Sequence, residues 1–252
     1  MKISIITIVK NCETLIEQTI KSVVNQTFTD FEYIVIDGGS TDNTLSVIES
    51  YKKKITKVVS EPDNGISDAF NKGILLAKGD WLLFLNAGDC FPKETILTDV
   101  APNLPVDKKI SLVYGKIANV NFSGKILKVS GDCNYRKKVR WHMPFPHQAT
   151  FHRKTLFEKY GLYDLSFKRA MDYEFILRIK HLKAVFIPVI VSNMLLGGIS
   201  QSNYYALFKE CKKAHELHFN TNVQVVWMHY FYMLWRVRLI LIVRKVIGKS
   251  LK

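Results

Sequence analysis

The sequence has few cysteines and lacks two motifs that mark many nucleotide-binding enzymes. Its four cysteines form no CxxC pair. A zinc site and a disulfide framework are therefore disfavoured, and we expect a reducing compartment. No GxGxxG follows the first predicted strand, which disfavours a dinucleotide-binding Rossmann fold. No GxxxxGK[ST] is present either, which disfavours a P-loop enzyme.

Acidic residues are absent from residues 223–252, which carry six Lys or Arg. The other 222 residues hold 30 basic and 22 acidic residues, so the net charge of +14 is uneven. A basic balance favours an anionic partner, such as nucleic acid, acidic lipid or a phosphorylated substrate. The segment also lacks an uninterrupted run of about 20 apolar residues, since Arg236 and Arg238 break it. Its aromatic and basic composition predicts a basic amphipathic helical segment in the membrane interface; packing on the domain and a true span are the alternatives.

Strand and helix patterns alternate through the first 90 residues. ISIITIV, at 3–9, is rich in β-branched residues without alternation, as in a strand buried on both faces. An acid follows soon after and there is no small-residue cleavage site, so we interpret this stretch as a strand and not as a signal peptide. Further strands are predicted at 31–37, 55–61 and 81–86, and helices at 13–26, after GGSTDNT and at 65–79. This order predicts an α/β fold with a mostly parallel sheet covered by helices on both faces.

The pattern changes after this alternating part. Residues 110–152 resemble paired strands with a turn near Ser123 and Gly124. Helices are predicted at 154–160 and 172–181, and another strand at 183–191.

Polar residues follow each of the first four predicted strands. In open α/β sheets ligands bind beyond the carboxyl ends of the strands, so we expect these residues to share a rim. An acid-lined cleft suits a base, a ribose, or a metal that bridges phosphates. The stretch FLNAGDCF, at 84–91, has a single acid, Asp89, with Asn86 and Gly88 where other acids could stand. We therefore expect any metal here to use one protein carboxylate, with diphosphate and water completing its shell.

Several motifs together resemble a known family. They are ISIITIVKN, FEYIVIDGGSTDNT, EPDNGISDAFNKG and GDWLLFLNAGD, which look like the nucleotide-binding half of family 2 glycosyltransferases of the GT-A fold. PHQATFHRK and AMDYEFILRI resemble the acceptor half of bacterial members that build capsule, O-antigen and exopolysaccharide. The resemblance covers about residues 1–200. It implies a Rossmann-like GT-A domain over 1–222, with a nucleotide-sugar half at 1–100 and an acceptor half at 101–222. The composition of residues 223–252 predicts a separate membrane-associating segment.

The resemblance also implies roles for individual residues. Asp89 would stand for the metal-binding acid of the DxD-type motif, with Mg²⁺ or Mn²⁺ as cofactor, and Asp172 for the general base. Asp37 would hydrogen-bond the base, typically uracil. The other predicted nucleotide-binding residues are Thr7, Val9, Asp68, Lys72 and Asn86. The implied reaction is inverting transfer of a sugar from a UDP-sugar to a hydroxyl of a lipid-linked or polysaccharide acceptor, at the inner face of the cell membrane.

Each of these roles has a structural alternative. Asp37 could cap the following turn, and Asp172 could be a helix N-terminal acid beside the macrodipole, with Glu174 as its nearest competitor for the base. His147 and Gln148 are candidates to line a sugar subsite, but His147 could equally be a structural histidine. Trp141 and His142 could stack on a sugar, and core packing explains them as well.

Two other functions remain open from the sequence. A nucleotidyltransferase can share a parallel-sheet nucleotide fold, but it would require a Gly-rich, basic loop near the N-terminus to bind a triphosphate. The stretch TIVKNCE, at this position, is not such a loop. A basic nucleic-acid or membrane-binding protein without catalysis is compatible with the charge. No nucleic-acid recognition motif is present, so we expect no nucleic-acid partner.

Overall fold

The computed structural model describes residues 2–105, 107, 109–141, 143–196, 203–220 and 223–250. His142 and the last two residues of the C-terminal segment lie outside this range. The first part of the chain forms four parallel strands in the order β3-β2-β1-β4. This confirms the alternating pattern predicted from the sequence. The elements are β1 (Ile3–Val9), α1 (Glu13–Val24), β2 (Phe31–Asp37), α2 (Thr44–Ser50), β3 (Lys57–Ser60), α3 (Ile66–Leu76) and β4 (Trp81–Phe84).

The second part extends the same sheet with mixed strand directions. β7 joins β4 in antiparallel fashion, β5 pairs antiparallel with both β7 and β6, and β8 runs parallel to β5. The result is one eight-stranded sheet with helices on both faces. These elements are α4 (Ile96–Val100), β5 (Ile110–Val120), β6 (Ile126–Ser130), α5 (Tyr135–Lys138), β7 (Thr150–Arg153), α6 (Thr155–Tyr160), α7 (Met171–Arg178) and β8 (Lys183–Leu195).

The core lies on both faces of the sheet because successive strand residues point to opposite sides. Ile6 and Ile36 pack with Phe70 of α3 on one face. Ile5 and Val35 pack with helix α1 on the other. A strand with helices on both sides has no solvent face, which explains why β1 and β2 have apolar runs without alternation.

Two long helices complete the described chain, α8 (Tyr204–His218) and α9 (Val223–Ser250). Helix α9 packs on the domain through Val226 and Tyr230, which are buried. The opposite side of α9 leaves large apolar side chains in solvent, namely Val225, Trp227, Met228, Phe231, Tyr232, Trp235 and Leu239. No helix in the described part of the chain has the length and apolar character required to cross a bilayer.

Candidate active site

A cleft of about 920 Å³ opens beyond the carboxyl ends of β1 and β4 and is lined from both parts of the chain. It brings together six of the residues predicted from the sequence: Val9, Asn86, Asp89, His147, Gln148 and Asp172. Residues more than 160 positions apart therefore face one space. The remaining predicted residues, Thr7, Asp37, Asp68, Lys72 and Trp141, do not line it.

The position of Asp89 follows from a tight turn after β4. The chain continues along β1 past the end of β4, because Leu85 and Ala87 still donate to carbonyl oxygens of β1. Gly88 then takes a positive φ of 95°, which disfavours side-chain-bearing residues. Its N–H donates to the hydroxyl of Thr19 at 2.9 Å, and the Asp89 N–H closes the turn on the Asn86 carbonyl at 2.9 Å. The turn thus aims both polar side chains at the rim.

Asp89 is 5% exposed, and in the absence of ligands its environment holds a proton more strongly than water does around an exposed aspartate. Burial raises its pKa to about 7, although hydrogen bonds from the Leu195 backbone and the Gln148 side chain act in the opposite direction. The Leu195 N–H lies 3.2 Å from Oδ1. A bound cation would offset the burial and favour the carboxylate.

The residues around Asp89 fit a divalent cation that also takes ligands from a substrate. No group of three or more His, Cys, Asp or Glu side chains converges anywhere in the described ranges. The side-chain oxygen of Asn86 is buried and accepts no hydrogen bond, so it is available as a second oxygen ligand. One carboxylate and one amide oxygen suit Mg²⁺ or Mn²⁺ that is completed by phosphates and water.

Asp172 reaches the cleft from the first turn of α7. Its pKa is raised to about 6, mainly by burial; the backbone N–H groups act in the opposite direction, and the nearby charge of Glu210 contributes to the increase. One of those donors is the Tyr173 N–H, 2.7 Å from Oδ1. A carboxylate with a pKa near 6 is ionised at neutral pH and is more basic than an ordinary aspartate.

Glu174, the competitor for the same role, is held elsewhere. Its carboxylate accepts hydrogen bonds from Arg178 at 3.0 and 2.7 Å. It also lies 2.8 Å from His218 on α8. It is buried and does not line the cleft, so the geometry favours Asp172 as the acid that can meet a ligand.

The segment before Asp172 is fixed by a residue that the sequence did not single out. Oε2 of Glu210, on α8, accepts the backbone N–H groups of Lys168, Arg169 and Ala170 at 3.0, 2.8 and 2.9 Å. No local sequence pattern predicts this contact, because Glu210 and its three partners are 40 to 42 residues apart in the chain. Arg169 also lines the cleft and was likewise not predicted.

His147 and Gln148 lie on a short 3₁₀ helix, His147–Ala149, at the cleft wall. The ring of His147 stacks on Phe84 at 4.8 Å, and its Nε2 lies 2.9 Å from the Tyr163 hydroxyl. Burial holds its pKa well below the usual value, so the ring is neutral. These are the contacts of a structural histidine. Gln148 instead contacts Asp89 through its side chain.

Thr7 and Asp37 are fully buried and make internal hydrogen bonds. The Thr7 hydroxyl donates to the Leu85 carbonyl at 2.7 Å. Asp37 accepts from the hydroxyls of Ser40 at 2.5 Å and Ser60 at 2.6 Å, and from the Ser40 N–H. The turn-capping alternative for Asp37 thus has its hydrogen bonds in place, and a nucleobase would have to share them.

Asp68, Lys72 and Trp141 make contacts outside the cleft. Lys72 pairs with Glu61 at 2.8 Å and with Asp68 at 3.6 Å on the same helix. The Trp141 ring stacks on His215 of α8 at 4.7 Å and lies 4.4 Å from the ring of His229 on α9. Trp141 therefore joins the two C-terminal helices to the domain, as the packing alternative predicts.

Comparison with known proteins places the chain in a family. Residues 4–156 match the family described as Glycosyl transferase family 2. The chain is 32% identical over 180 residues to the PGL/p-HBAD biosynthesis glycosyltransferase of Mycobacterium bovis (strain BCG / Pasteur 1173P2), covering 69% of this chain and 68% of that protein.

Two solved structures share the fold. S. aureus TarS 1-349 in complex with UDP-GlcNAc gives a TM-score of 0.68 at 18% identity, over 93% of this chain and 72% of that one. The mannosyltransferase PcManGT from Pyrobaculum calidifontis, in complex with GDP-Man and Mn2+, gives 0.60 at 18% identity over 93% of this chain and 64% of that one. With its mixed α/β sheet and this family match, the chain belongs to the family 2 glycosyltransferases and has the GT-A fold.

Proposed function

We propose that this protein transfers a sugar from a UDP-sugar to a hydroxyl group of a lipid-linked or polysaccharide acceptor, with inversion at the anomeric carbon. The observation that carries the proposal is that Asp89 and Asp172 line one cleft from different parts of the chain. In such a site the leaving diphosphate would be held at Asp89, and the attacking hydroxyl would be activated at Asp172. The UDP-GlcNAc complex of a protein with the same fold supports the choice of donor.

Asp172 is the base in this proposal. Its pKa of about 6 leaves it ionised at neutral pH, yet basic enough to accept the proton of the acceptor hydroxyl as that oxygen attacks the anomeric carbon. Direct displacement by the hydroxyl inverts this carbon. A single base suffices, unlike the paired carboxylates of a retaining hydrolase.

Asp89 and Asn86 hold the donor end of the cleft. Asp89 would supply the one protein carboxylate to Mg²⁺ or Mn²⁺, and Asn86 the unpartnered amide oxygen. When bound, the cation offsets the charge that develops on the departing diphosphate. Manganese in the complex of another protein with this fold supports the choice of metal. The nucleoside would lie against Val9, within the nucleotide-sugar half at 1–100. The other proposed nucleotide-binding residues of this half are Thr7, Asp37, Asp68 and Lys72.

The C-terminal helix is the proposed membrane contact. Its exposed apolar side chains, together with six Lys or Arg and no acid over 223–252, suit the surface of an anionic bilayer. A peripheral position on the inner face of the membrane would bring a lipid-linked acceptor to the cleft. The acceptor half, 101–222, would then meet the saccharide, with Gln148 and His147 at the wall of the cleft.

The proposed donor is tested by thermal unfolding of the protein with UDP, UTP or single-stranded DNA, each with and without Mn²⁺. Specific binding of a ligand to the folded state raises the melting temperature. We expect stabilisation by UDP that increases with Mn²⁺. A response to DNA alone would contradict a transferase, and a response to UTP with none to UDP would favour a nucleotidyltransferase. The anomeric configuration of the product, read by NMR, tests inversion.

A further inference from the structure

We propose that Arg169 binds a phosphate group of a substrate on the side of the cleft that carries Asp172. The inference starts from the arginine itself. Arg169 lines the cleft, and its Nε is buried without a hydrogen-bond partner. A guanidinium nitrogen withdrawn from water without a partner costs free energy. Such an atom beside a ligand cleft indicates that a bound group completes it.

No acid of the described chain neutralises Arg169. Three acids line the same cleft, and none forms an ion pair with it: Asp63, Asp89 and Asp172. Two other arginines of the described chain have hydrogen-bond partners for their guanidinium groups. Arg178 pairs with Glu174, and Arg153 donates to the backbone carbonyls of Ile110 and Pro105.

Glu210, the acid that contacts this segment, accepts hydrogen bonds from its backbone. Glu210 takes the N–H of Arg169 at 2.8 Å together with the N–H groups of its two neighbours. This carboxylate fixes the segment without engaging the guanidinium. The side chain is thus held on an ordered backbone with its Nε unpaired, which is the arrangement expected of a preorganised ligand contact.

Phosphate is the ligand chemistry that fits best. A guanidinium presents parallel N–H donors that match two phosphate oxygens, and such charge-assisted bonds are stronger than neutral ones. Lys10 and Lys168 line the same cleft and add positive charge. Asp172 follows Arg169 by three residues, at the start of the next helix. A phosphate bound here would lie near the hydroxyl that Asp172 is proposed to activate.

The source of that phosphate rests on the proposed function. It is either a phosphate carried by the acceptor or the diphosphate of the donor. Both present the same oxygens to Arg169, and binding measurements with two probes separate them. Inorganic phosphate probes the subsite alone, and UDP probes the donor diphosphate.

The test compares Arg169→Ala and Arg169→Lys with the wild type. Phosphate binding is followed by ³¹P NMR titration and UDP binding by isothermal titration calorimetry. Loss of one charge-assisted contact should weaken phosphate binding by about tenfold or more in Arg169→Ala. Arg169→Lys should retain part of the phosphate affinity, since a lysine keeps the positive charge but lacks the parallel N–H donors of the guanidinium. Unchanged UDP affinity would assign the site to the acceptor, and a parallel loss of UDP affinity would assign it to the donor diphosphate.

Lys168→Ala is the matched control. Lys168 is the adjacent residue, has the same charge, lines the same cleft and donates its N–H to the same carboxylate, but its side chain is exposed. We expect a smaller effect on phosphate affinity than from Arg169→Ala. An equal loss in both variants would show a diffuse basic surface and overturn the proposal. So would unchanged binding of both probes by a folded Arg169→Ala or Arg169→Lys protein, or no phosphate binding by the wild type. Phosphate binding without UDP binding in the wild type would instead contradict the proposed donor but would still support the phosphate site at Arg169.

Discussion

The carboxylate of Asp89 accepts a hydrogen bond of 3.2 Å from the backbone N–H of Leu195, 106 residues further along the chain. Next to it, Cys90 and Asn193 exchange backbone hydrogen bonds of 3.0 and 2.8 Å. The end of β8 is thus attached to the turn that carries the proposed metal ligand. The donor end of the cleft is therefore built jointly by the two parts of the chain.

The Asp89→Asn variant should lose metal-dependent nucleotide binding. An amide can still accept the Leu195 hydrogen bond but carries no charge for the cation. We expect at least the roughly 10- to 100-fold loss in affinity that is typical of outer-shell metal partners. The measurement is UDP affinity by calorimetry with and without Mn²⁺. A partly exposed acid that pairs with Lys93 provides the control, in the variant Asp99→Asn. Equally strong Mn²⁺ binding with and without UDP would contradict our description of this site.

Ionisation of the buried Asp89 should make the ligand-free protein less stable as the pH rises. Its pKa is near 4 when unfolded and about 7 when folded, because burial disfavours the charge. Between these values the folded state binds more protons, so the free energy of unfolding falls with increasing pH, by at most about 1.4 kcal/mol per unit.

Urea unfolding between pH 4 and 7 measures this slope. The Asp89→Asn variant has no titrating group at this position and should show a shallower decrease. A wild-type protein and a variant with the same slope would rule out Asp89 as the source.

The Asp172→Asn variant should transfer no sugar at a measurable rate while it still binds UDP. Loss of a general base costs roughly 10²- to 10⁴-fold in rate, and the amide keeps an oxygen for the Tyr173 N–H. The rate is followed by donor consumption and UDP affinity by calorimetry. The matched control is Glu174→Gln on the same helix. It should lower the melting temperature, because it breaks the charge pairing with Arg178, and keep the activity of the folded fraction. A loss of UDP affinity in Asp172→Asn would refute the assignment.

Removal of the charge on Glu210 should shift the pH profile of transfer to lower pH. Asp172 must be ionised to act, so activity should rise through its pKa of about 6. Burial is the main cause of this raised pKa, and the charge of Glu210 also contributes to it. Glu210→Gln keeps an oxygen for the three N–H donors but lowers this pKa, so the rising limb of kcat should move to lower pH.

Glu216→Gln is the control on the same helix. Glu216 pairs with Lys212 at 2.7 Å, whereas the N–H groups of residues 168–170 donate to Glu210. Its substitution should leave the pH profile unchanged. An unshifted limb in a folded Glu210→Gln protein would contradict the electrostatic link to Asp172.

The double substitution Met228→Ser and Phe231→Ser should weaken membrane binding. Both side chains are 72% exposed on α9, so their removal leaves the packing through Val226 and Tyr230 intact. Burial of each in a bilayer interface contributes up to about 3 kcal/mol. Sedimentation with vesicles that contain anionic lipid measures the effect. Leu75→Ser, at a residue 70% exposed on α3, is the control. Truncation of residues 223–252 should lower membrane recovery as well. Vesicle binding by the double variant at the wild-type level would contradict the proposed contact.

The sequence predicted the first four strands and three helices closely because each has a complete local signal. β1 and β2 begin and end at the predicted residues, and both are rich in apolar and β-branched residues. β3 and β4 are shorter than predicted, at Lys57–Ser60 and Trp81–Phe84. The residues that flank these two strands have the composition of a strand but lie outside the paired region. Strand pairing depends on the neighbouring strand and not on local composition.

The cleft was only partly predictable. Asn86 and Asp89 end a buried strand, and such positions form the ligand rim of a parallel sheet. Nothing local indicates that the Asn86 oxygen lacks a partner or that Glu210 accepts three N–H groups of the segment before Asp172. The choice between Asp172 and Glu174 likewise depended on Arg178, which forms an ion pair with Glu174, and on His218, which lies within hydrogen-bond distance of it.

By itself the sequence determined the alternation of strands and helices, the acids at the strand ends and the basic, apolar C-terminal segment, because periodicity, turn residues and composition are properties of short stretches. Only the tertiary structure decided which side chains share the cleft and which are occupied elsewhere. Hydrogen bonds and burial are set by residues far apart in the chain, as with Asp89 and Leu195 or Arg169 and Glu210. The pKa values of Asp89 and Asp172 follow from that burial and from no local signal in the sequence.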